Sequence, residues 1–269
     1  MNCITNALSN QSMRIEARET PAGLVFDTHF EDDHVVVSLP DLPRSPEFVA
    51  RVYHEVIFRR IHTYLKDVLV GNWIDLGAWI GDNAIPWAKQ STERIVYAID
   101  PGPDNCDYIR TVAQINGLEN VRVLQLAITD RPKTLTTDED LSHCTLHEGT
   151  DGKHKVEGCS LDSLLRARVV TDIGYIHLDV EGMEWDVIRG AEEIIRTYRP
   201  VLTVEQHMES DDYRGLTNYL KERGYRVFLI HETLAGNRQD CRNLIAFPCN
   251  RDVDSIAQRL GVPILIEEL

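Results

Sequence analysis

The chain has 269 residues, 43% hydrophobic and 26% charged, enough for one large folded domain with a sizeable core. Its formal net charge of −15 repels phosphate backbones and disfavours a nucleic-acid partner or a polyanionic substrate, so a small neutral molecule or glycan fits better. No basic start leads into an apolar run and no apolar stretch reaches membrane-spanning length, so the expectation is a cytoplasmic protein with no membrane span.

Residues 1–20 or so are polar and read as loosely held. LVFDTHF (24–30) and HVVVSLP (34–40), separated by EDD, read as a hairpin. After a proline-rich connector, Phe48, Val52, Val56, Ile57, Ile61, Tyr64 and Leu65 fall at helical spacing, with Ser45 as cap and Pro46 in the first turn. Residues 1–69 thus form an arm leading into a main domain, 70–269.

From Gly71 the pattern alternates. Strands are predicted at NWIDLG (72–77), RIVYAID (94–100), VRVLQLAIT (121–129), YIHLDVEG (175–182) and PVLTVEQH (200–207). Helices are predicted from DNAIPWAKQ (82–90), over 104–117 to the Asn116-Gly117 stop, over 184–198 to Arg199-Pro200, and over 212–224 to Gly224. Residues 131–155 are polar and irregular; KVEGCSLDSLLRA (155–167) reads as a short strand and a helical turn. YRVFLIHET (225–233) and CRNLIAFP (241–248) are two last strands, and 252–261 closes with a short helix. Strand–helix alternation implies right-handed crossovers and an α/β fold with a mostly parallel sheet. The short loop between the last two strands makes that pair antiparallel.

Open sheets of this kind bind ligands beyond the carboxyl ends of their strands. The first strand ends in Asp75-Leu76-Gly77-Ala78-Trp79-Ile80-Gly81, a glycine turn that lets backbone approach a ligand closely. The second ends in Asp100-Pro101, where an acid can accept hydrogen bonds from both ribose hydroxyls of an adenosine. A dinucleotide fingerprint begun at Gly77 would need glycines where Trp79 and Asp82 stand, so a pyrophosphate is poorly accommodated. S-adenosylmethionine (SAM) has no phosphate, and Asp75 can pair with its ammonium. Asn83 and Ala127 join the loop residues as cofactor-binding candidates. The fourth strand carries Asp179 and Glu181, the fifth Glu205 and His207; alternate strand residues share a face, so neighbouring strands would bring these ends together.

WIDLGAWIGDNA, YAIDPGPDN, CSLDSL, IHLDVEGMEWDVIRGA and RPVLTVEQH, in this order over about residues 70–250, resemble the motifs of the FkbM family of SAM-dependent methyltransferases. The resemblance implies a class I, Rossmann-like methyltransferase fold with a seven-stranded sheet ending in an antiparallel hairpin. It also implies O-methylation, commonly of a sugar hydroxyl in a glycan, glycolipid or natural product. Asp75, Gly77, Ala78 and Gly81 fall on the family's cofactor loop, Asp100-Pro101 on its Glu-Pro, Asp179, Glu181 and Gly182 on its DVEG, and Glu205 on its later acid. Trp79 replaces the asparagine of the family's GAN and removes a polar contact.

A sugar hydroxyl must be aligned and deprotonated to attack a methyl group. In one route Mg²⁺ or Mn²⁺, held by Asp179 and Glu205 with Glu181 as a further ligand, lowers the hydroxyl pKa, and ligand type favours this route. In the other, His207 or Asp179 is a direct base. Structural roles compete: Glu181 capping a helix or meeting Arg189, Glu205 meeting Arg199, His207 opening a loop. Glu184 reads as a helix-dipole acid. His54, His62 and His177 read as packed, and His143, His147 and His154 as solvated. The arm and residues 131–155 are candidates for acceptor recognition. DVEG stands where amine-directed enzymes carry an N/D-P-P-Y/F strand end, which argues against an amine. The six cysteines form no CxxC pair and read as free thiols. An NAD-dependent oxidoreductase and a non-catalytic SAM-binding partner subunit are the alternatives. Oligomeric state is open, a homodimer included.

Overall fold

Runs of β-branched and aromatic residues between glycine stops build a sheet whose strand ends carry the chemistry. The computed structural model describes residues 14–21, 23–30, 33–38, 45–54, 65–66, 68–141, 144–209, 211–230, 241–259 and 266–269. In chain order, the arm holds β1 (Arg14–Thr20), β2 (Gly23–Phe30), β3 (Asp33–Val37) and α1 (Pro46–His54). There follow β4 (Asn72–Leu76), α2 (Ala84–Gln90), β5 (Val96–Asp100), α3 (Pro103–Ile115) and β6 (Val121–Gln125). Four short strands come next: β7 (Ala127–Ile128), β8 (Lys133–Thr137), β9 (His147–Glu148) and β10 (His154–Cys159). The rest is α4 (Leu161–Arg166), β11 (Ile173–Leu178), α5 (Glu184–Gly190), α6 (Glu192–Tyr198), β12 (Val201–His207), α7 (Tyr213–Glu222), β13 (Tyr225–Ile230), β14 (Cys241–Pro248), α8 (Val253–Arg259) and β15 (Ile266–Glu268).

The main sheet runs β15-β13-β14-β12-β11-β4-β5-β6. Strands β12, β11, β4, β5 and β6 are mutually parallel, and β14, β13 and β15 pair antiparallel. The expected hairpin is β13–β14, and β15 adds an eighth strand at the edge. Each face buries its own hydrophobic cluster. One joins Trp73, Trp87, Ile109 and Phe228 to the arm residues Phe26, Val35, Val37, Val49 and Tyr53. The other joins Ile74, Ile99, Ile176, Leu202 and Leu244 to the helices α4 to α7. The arm is also clamped by polar contacts: Asn116 Nδ2 donates to Val36 O at 2.6 Å, and Val36 N donates to Asn116 Oδ1 at 3.0 Å.

Several expectations are corrected. Residues 14–20, read as loose, pair with β2 along their whole length; their charged side chains hid a strand whose faces are mostly solvated. Residues 131–155 are irregular only in part, being crossed by the short strands β8 and β9 and the start of β10. With 127–128 and the strand end at 159 they supply a four-stranded sheet, β7-β10-β8-β9, which buries only Ala127, Leu135 and Val156 as its apolar cluster. The strand 121–129 breaks at Leu126, so that β6 and β7 serve different sheets. The helix 184–198 breaks at Ala191 (φ −116°, ψ 14°), beside Gly190, where a Cβ would lie 2.1 Å from the Thr129 carbonyl. On α1 the buried face is Val49, Ala50 and Tyr53, one position round from the predicted Phe48–Val52 line, and Phe48 is exposed. Ser45 does cap this helix, accepting from Phe48 N at 3.2 Å. Its predicted continuation through Val56, Ile57, Ile61 and Tyr64 lies outside the described residues, as do His62, His143 and the 234–240 loop.

At the sheet's amino edge Gly174 passes so close to Val70 that a Cβ would lie 1.2 Å from its carbonyl oxygen, and backbone there cannot retreat cheaply. Gly174→Ala is expected to cost about 3 kcal/mol or to prevent folding. Gly117→Ala, at φ +66° with open space around the Cβ, should cost only about 1 kcal/mol. Urea unfolding of both variants checks this; equal losses would sink the contact argument.

Candidate active site

The parallel register that sets Leu178 beside Leu76 and Val204 makes the exits of β4, β11 and β12 neighbours. Asp179 N donates to Leu76 O at 3.0 Å, and Gly77 (φ +75°) lies so close to the Asp179 carbonyl that a Cβ would sit 1.6 Å from it. Gly77 is therefore demanded by the neighbouring chain. Gly81 (φ +76°) is tight against Ile85 and Ile109. Between them Ala78 is buried, and Trp79 adopts φ 42°, a left-handed backbone that costs a bulky side chain about 1 kcal/mol or more. Asn83 is 6% exposed at the N-cap of α2 without a side-chain capping bond. Ala127 is buried in β7, and Pro101 is half-buried.

Asp100 does something the sequence did not disclose. Its carboxylate accepts from Trp79 N (2.8 Å), Gly102 N (2.8 Å) and Asn105 Nδ2 (3.0 Å). It holds the strained turn in place. A carboxylate offers about four acceptor positions, so three bonds leave room for one ribose hydroxyl, where both were expected. Burial raises this carboxyl to about 6, against the lowering effect of the three donors. Asp75 is fully buried one residue back from the strand end, in register with His177, and offers no accessible surface to an ammonium.

The acids do converge. Asp179 sits among Glu205, Glu181 and Asp82. Burial, then the hydrogen bond and charge of Glu205, push the Asp179 carboxyl well above its usual range. Burial acts against ionised Glu205 too, but hydrogen bonds from Asp179 and Cys241 bring it below its ordinary value. The two directions are opposed, so a proton shared by the pair is favoured on Asp179. His207 Nε2 lies 3.6 Å from Glu181 Oε2, and Glu181 itself is held at φ 48°. Two structural pairings are not formed: Arg199 caps the Arg223 and Gly224 carbonyls, and Arg189 lies over the Trp185 ring, whereas His207 does end β12 and open a loop, its backbone N–H donating to Asp211 Oδ2 at 2.6 Å.

Among the described residues no group of three His, Cys, Asp or Glu side chains is placed to hold a metal ion. Asp82 and Cys241 were missed as members of the cluster. Asp82 follows Gly81 directly, a signal used only against a dinucleotide; Cys241 depends on the β12–β14 register, which sets it opposite His207. His177 is packed as expected, 2% exposed, with Nδ1 3.0 Å from Thr203 Oγ1.

The segment 75–227, more than half of the chain, matches the family model described as the methyltransferase FkbM domain. The chain belongs to the FkbM methyltransferase family. A solved FkbM methyltransferase from Methylobacillus flagellatus KT superposes with a TM-score of 0.53 at 20% identity, over 76% of this chain and 50% of that one. The present chain thus spans half the length of that relative, and the likeness shows the shared class I fold. Weaker likenesses include a precorrin-6y C5,15-methyltransferase from Geobacter metallireducens GS-15 (TM-score 0.43, 11% identity, 78% of this chain and 98% of that one). TYW2 from M. jannaschii, in complex with AdoMet, gives 0.39 at 13% identity over 86% of each chain. No curated relative matches in sequence. Among the described residues no helix is long and apolar enough to cross a membrane.

Within the FkbM motif DVEGMEWD, Glu184 is 6% exposed and its Oε1 accepts from Gly182 N at 3.2 Å, folding back over the loop that carries Glu181. Burial raises it from 4.5 to about 7, with Asp211 adding to the shift and loop amides opposing it. The folded protein then holds a proton that the unfolded chain releases, so stability is greatest below 4.5 and falls as pH rises through about 7. Glu184→Gln is expected to flatten the stability–pH curve by up to about 3 kcal/mol between pH 5 and 7.5. Urea unfolding at several pH values tests it; an unchanged slope would mean Glu184 is ionised throughout.

Proposed function

We propose that this protein is a SAM-dependent O-methyltransferase acting on a sugar hydroxyl of a glycan, glycolipid or glycosylated metabolite. The observation that carries the reading is the cluster of Asp179, Glu181, Glu205 and His207 at adjoining strand exits, pressed against the Gly77–Gly81 turn. Family membership supports SAM as methyl donor. Trp79 and Asp82 stand where a dinucleotide would need glycines, which counts against NAD. When bound, SAM supplies a methyl carbon made electrophilic by its sulfonium, and the surrounding carboxylates suit that positive charge.

The residues divide the remaining work. Asp179, carrying the shared proton, is a hydrogen-bond donor and cannot serve as the base. Glu205 is thereby kept anionic and has acceptor positions left to orient the acceptor's hydroxyls. His207 takes the proton of the attacking hydroxyl, and the Glu181 carboxylate stabilises the resulting imidazolium. A carbon–oxygen bond forms as the sulfur–carbon bond breaks, and the proton ends on His207. The negative field of the chain favours neutral acceptors over polyanions.

Calorimetric titration with S-adenosylhomocysteine should give saturable one-site binding, and NAD should give none. Radiolabelled methyl transfer from SAM to a panel of free sugars and glycosides then reads the chemistry. His207→Gln is expected to lower the transfer rate about 100-fold or more, with S-adenosylhomocysteine affinity unchanged. Preference for NAD would sink the methyltransferase reading; full activity in His207→Gln would remove His207 as the base.

A further inference from the structure

The N-terminal arm lies outside the matched segment, yet it touches the turn between β4 and α2. Tyr53 of α1 is 2% exposed, and its hydroxyl donates to the carbonyl of Ile80. Tyr108 of α3 is packed in the same hydrophobic cluster as Tyr53, and its own hydroxyl donates to the carbonyl of Ser38, again in the arm. Ile80 is buried in the same hydrophobic cluster as Tyr53 and Val49.

The turn that receives this bond is strained. Three of its residues have positive φ: Gly77 (75°), Trp79 (42°) and Gly81 (76°). A backbone of this kind persists only where its surroundings fix it at several points. Asp100 fixes the Trp79 N–H from the end of β5. Tyr53 fixes the peptide group two further along, through the Ile80 carbonyl, from a separate part of the chain.

We propose that Tyr53 is a positioning residue for the cofactor: the arm presets the Gly77–Gly81 turn, and cofactor affinity depends on this phenol hydroxyl. The inference rests on that turn being the SAM site. Tyr53→Phe removes the hydroxyl and keeps the ring. Val49→Ala serves as the control, because Val49 is fully buried on the same helix and in the same cluster. Titrating S-adenosylhomocysteine into the full-length chains, Tyr53→Phe should bind about tenfold more weakly than wild type. Val49→Ala should lower Tm at least as much as Tyr53→Phe yet keep wild-type affinity. Amide exchange in Tyr53→Phe should quicken at residues 79–81, and that local change remains readable if its binding is too weak to titrate. Equal affinity in Tyr53→Phe and wild type would overturn this proposal alone, as would equal weakening in both variants. Failure of the wild type to bind would remove the cofactor reading itself and this proposal with it.

Discussion

The bare α-carbon of Gly77 lies against the carbonyl of Asp179, and nearly everything in the candidate site depends on that contact. It joins the exit of the first parallel strand to the exit of its neighbour at a separation no side chain permits. On one side the chain turns back through Trp79 toward α2; on the other it enters the acidic loop of Asp179 and Glu181. A cofactor lying over the turn and an acceptor lying over the acids would consequently meet. The bond from Asp179 N to Leu76 O makes the same junction from the other direction. Two motifs about a hundred residues apart thus work as one surface.

Charge organises the second half of that surface. Four acids gathered beside one another cannot all ionise in a partly dry site. The conflict resolves unevenly: burial and Glu205 favour the protonated form of Asp179, while hydrogen bonds from Asp179 and Cys241 favour Glu205 as an anion. Similar residues therefore receive different tasks from their surroundings, as in other sites where neighbouring carboxyls are pushed apart in pKa. His207, 3.6 Å from Glu181, is the remaining member of the cluster and the base of the proposed reaction.

Much of this could be read from the chain. The glycine turn, the acid after the second strand, the DVEG loop and the terminal antiparallel hairpin follow from local pattern, because strand alternation and glycine stops are local properties. What escaped was set by distant contacts. The break at Ala191 reflects the Thr129 carbonyl beside Gly190, and no local propensity announces it. The small sheet of β7 to β10 buries too few apolar residues to show an alternating pattern. Asp100 looked like a ribose ligand because its position is right; that it also braces Trp79 N and Gly102 N appears only in three dimensions. The raised carboxyl of Asp179, which favours its protonated form, is a consequence of burial and of Glu205 beside it. Tyr53 was hidden by a one-residue rotation of the apolar face of α1.

The arm bears on how the molecule comes apart. Val35, Val37, Val49 and Tyr53 share one continuous cluster with Trp73, Trp87 and Ile109, so the line drawn at residue 69 follows the chain and not the core. Peeling the arm away would wet the part of this cluster that Val35, Val37, Val49 and Tyr53 cover. Arm and sheet should therefore melt in a single cooperative step, and a fragment cut at that line would carry an apolar flank prone to self-association.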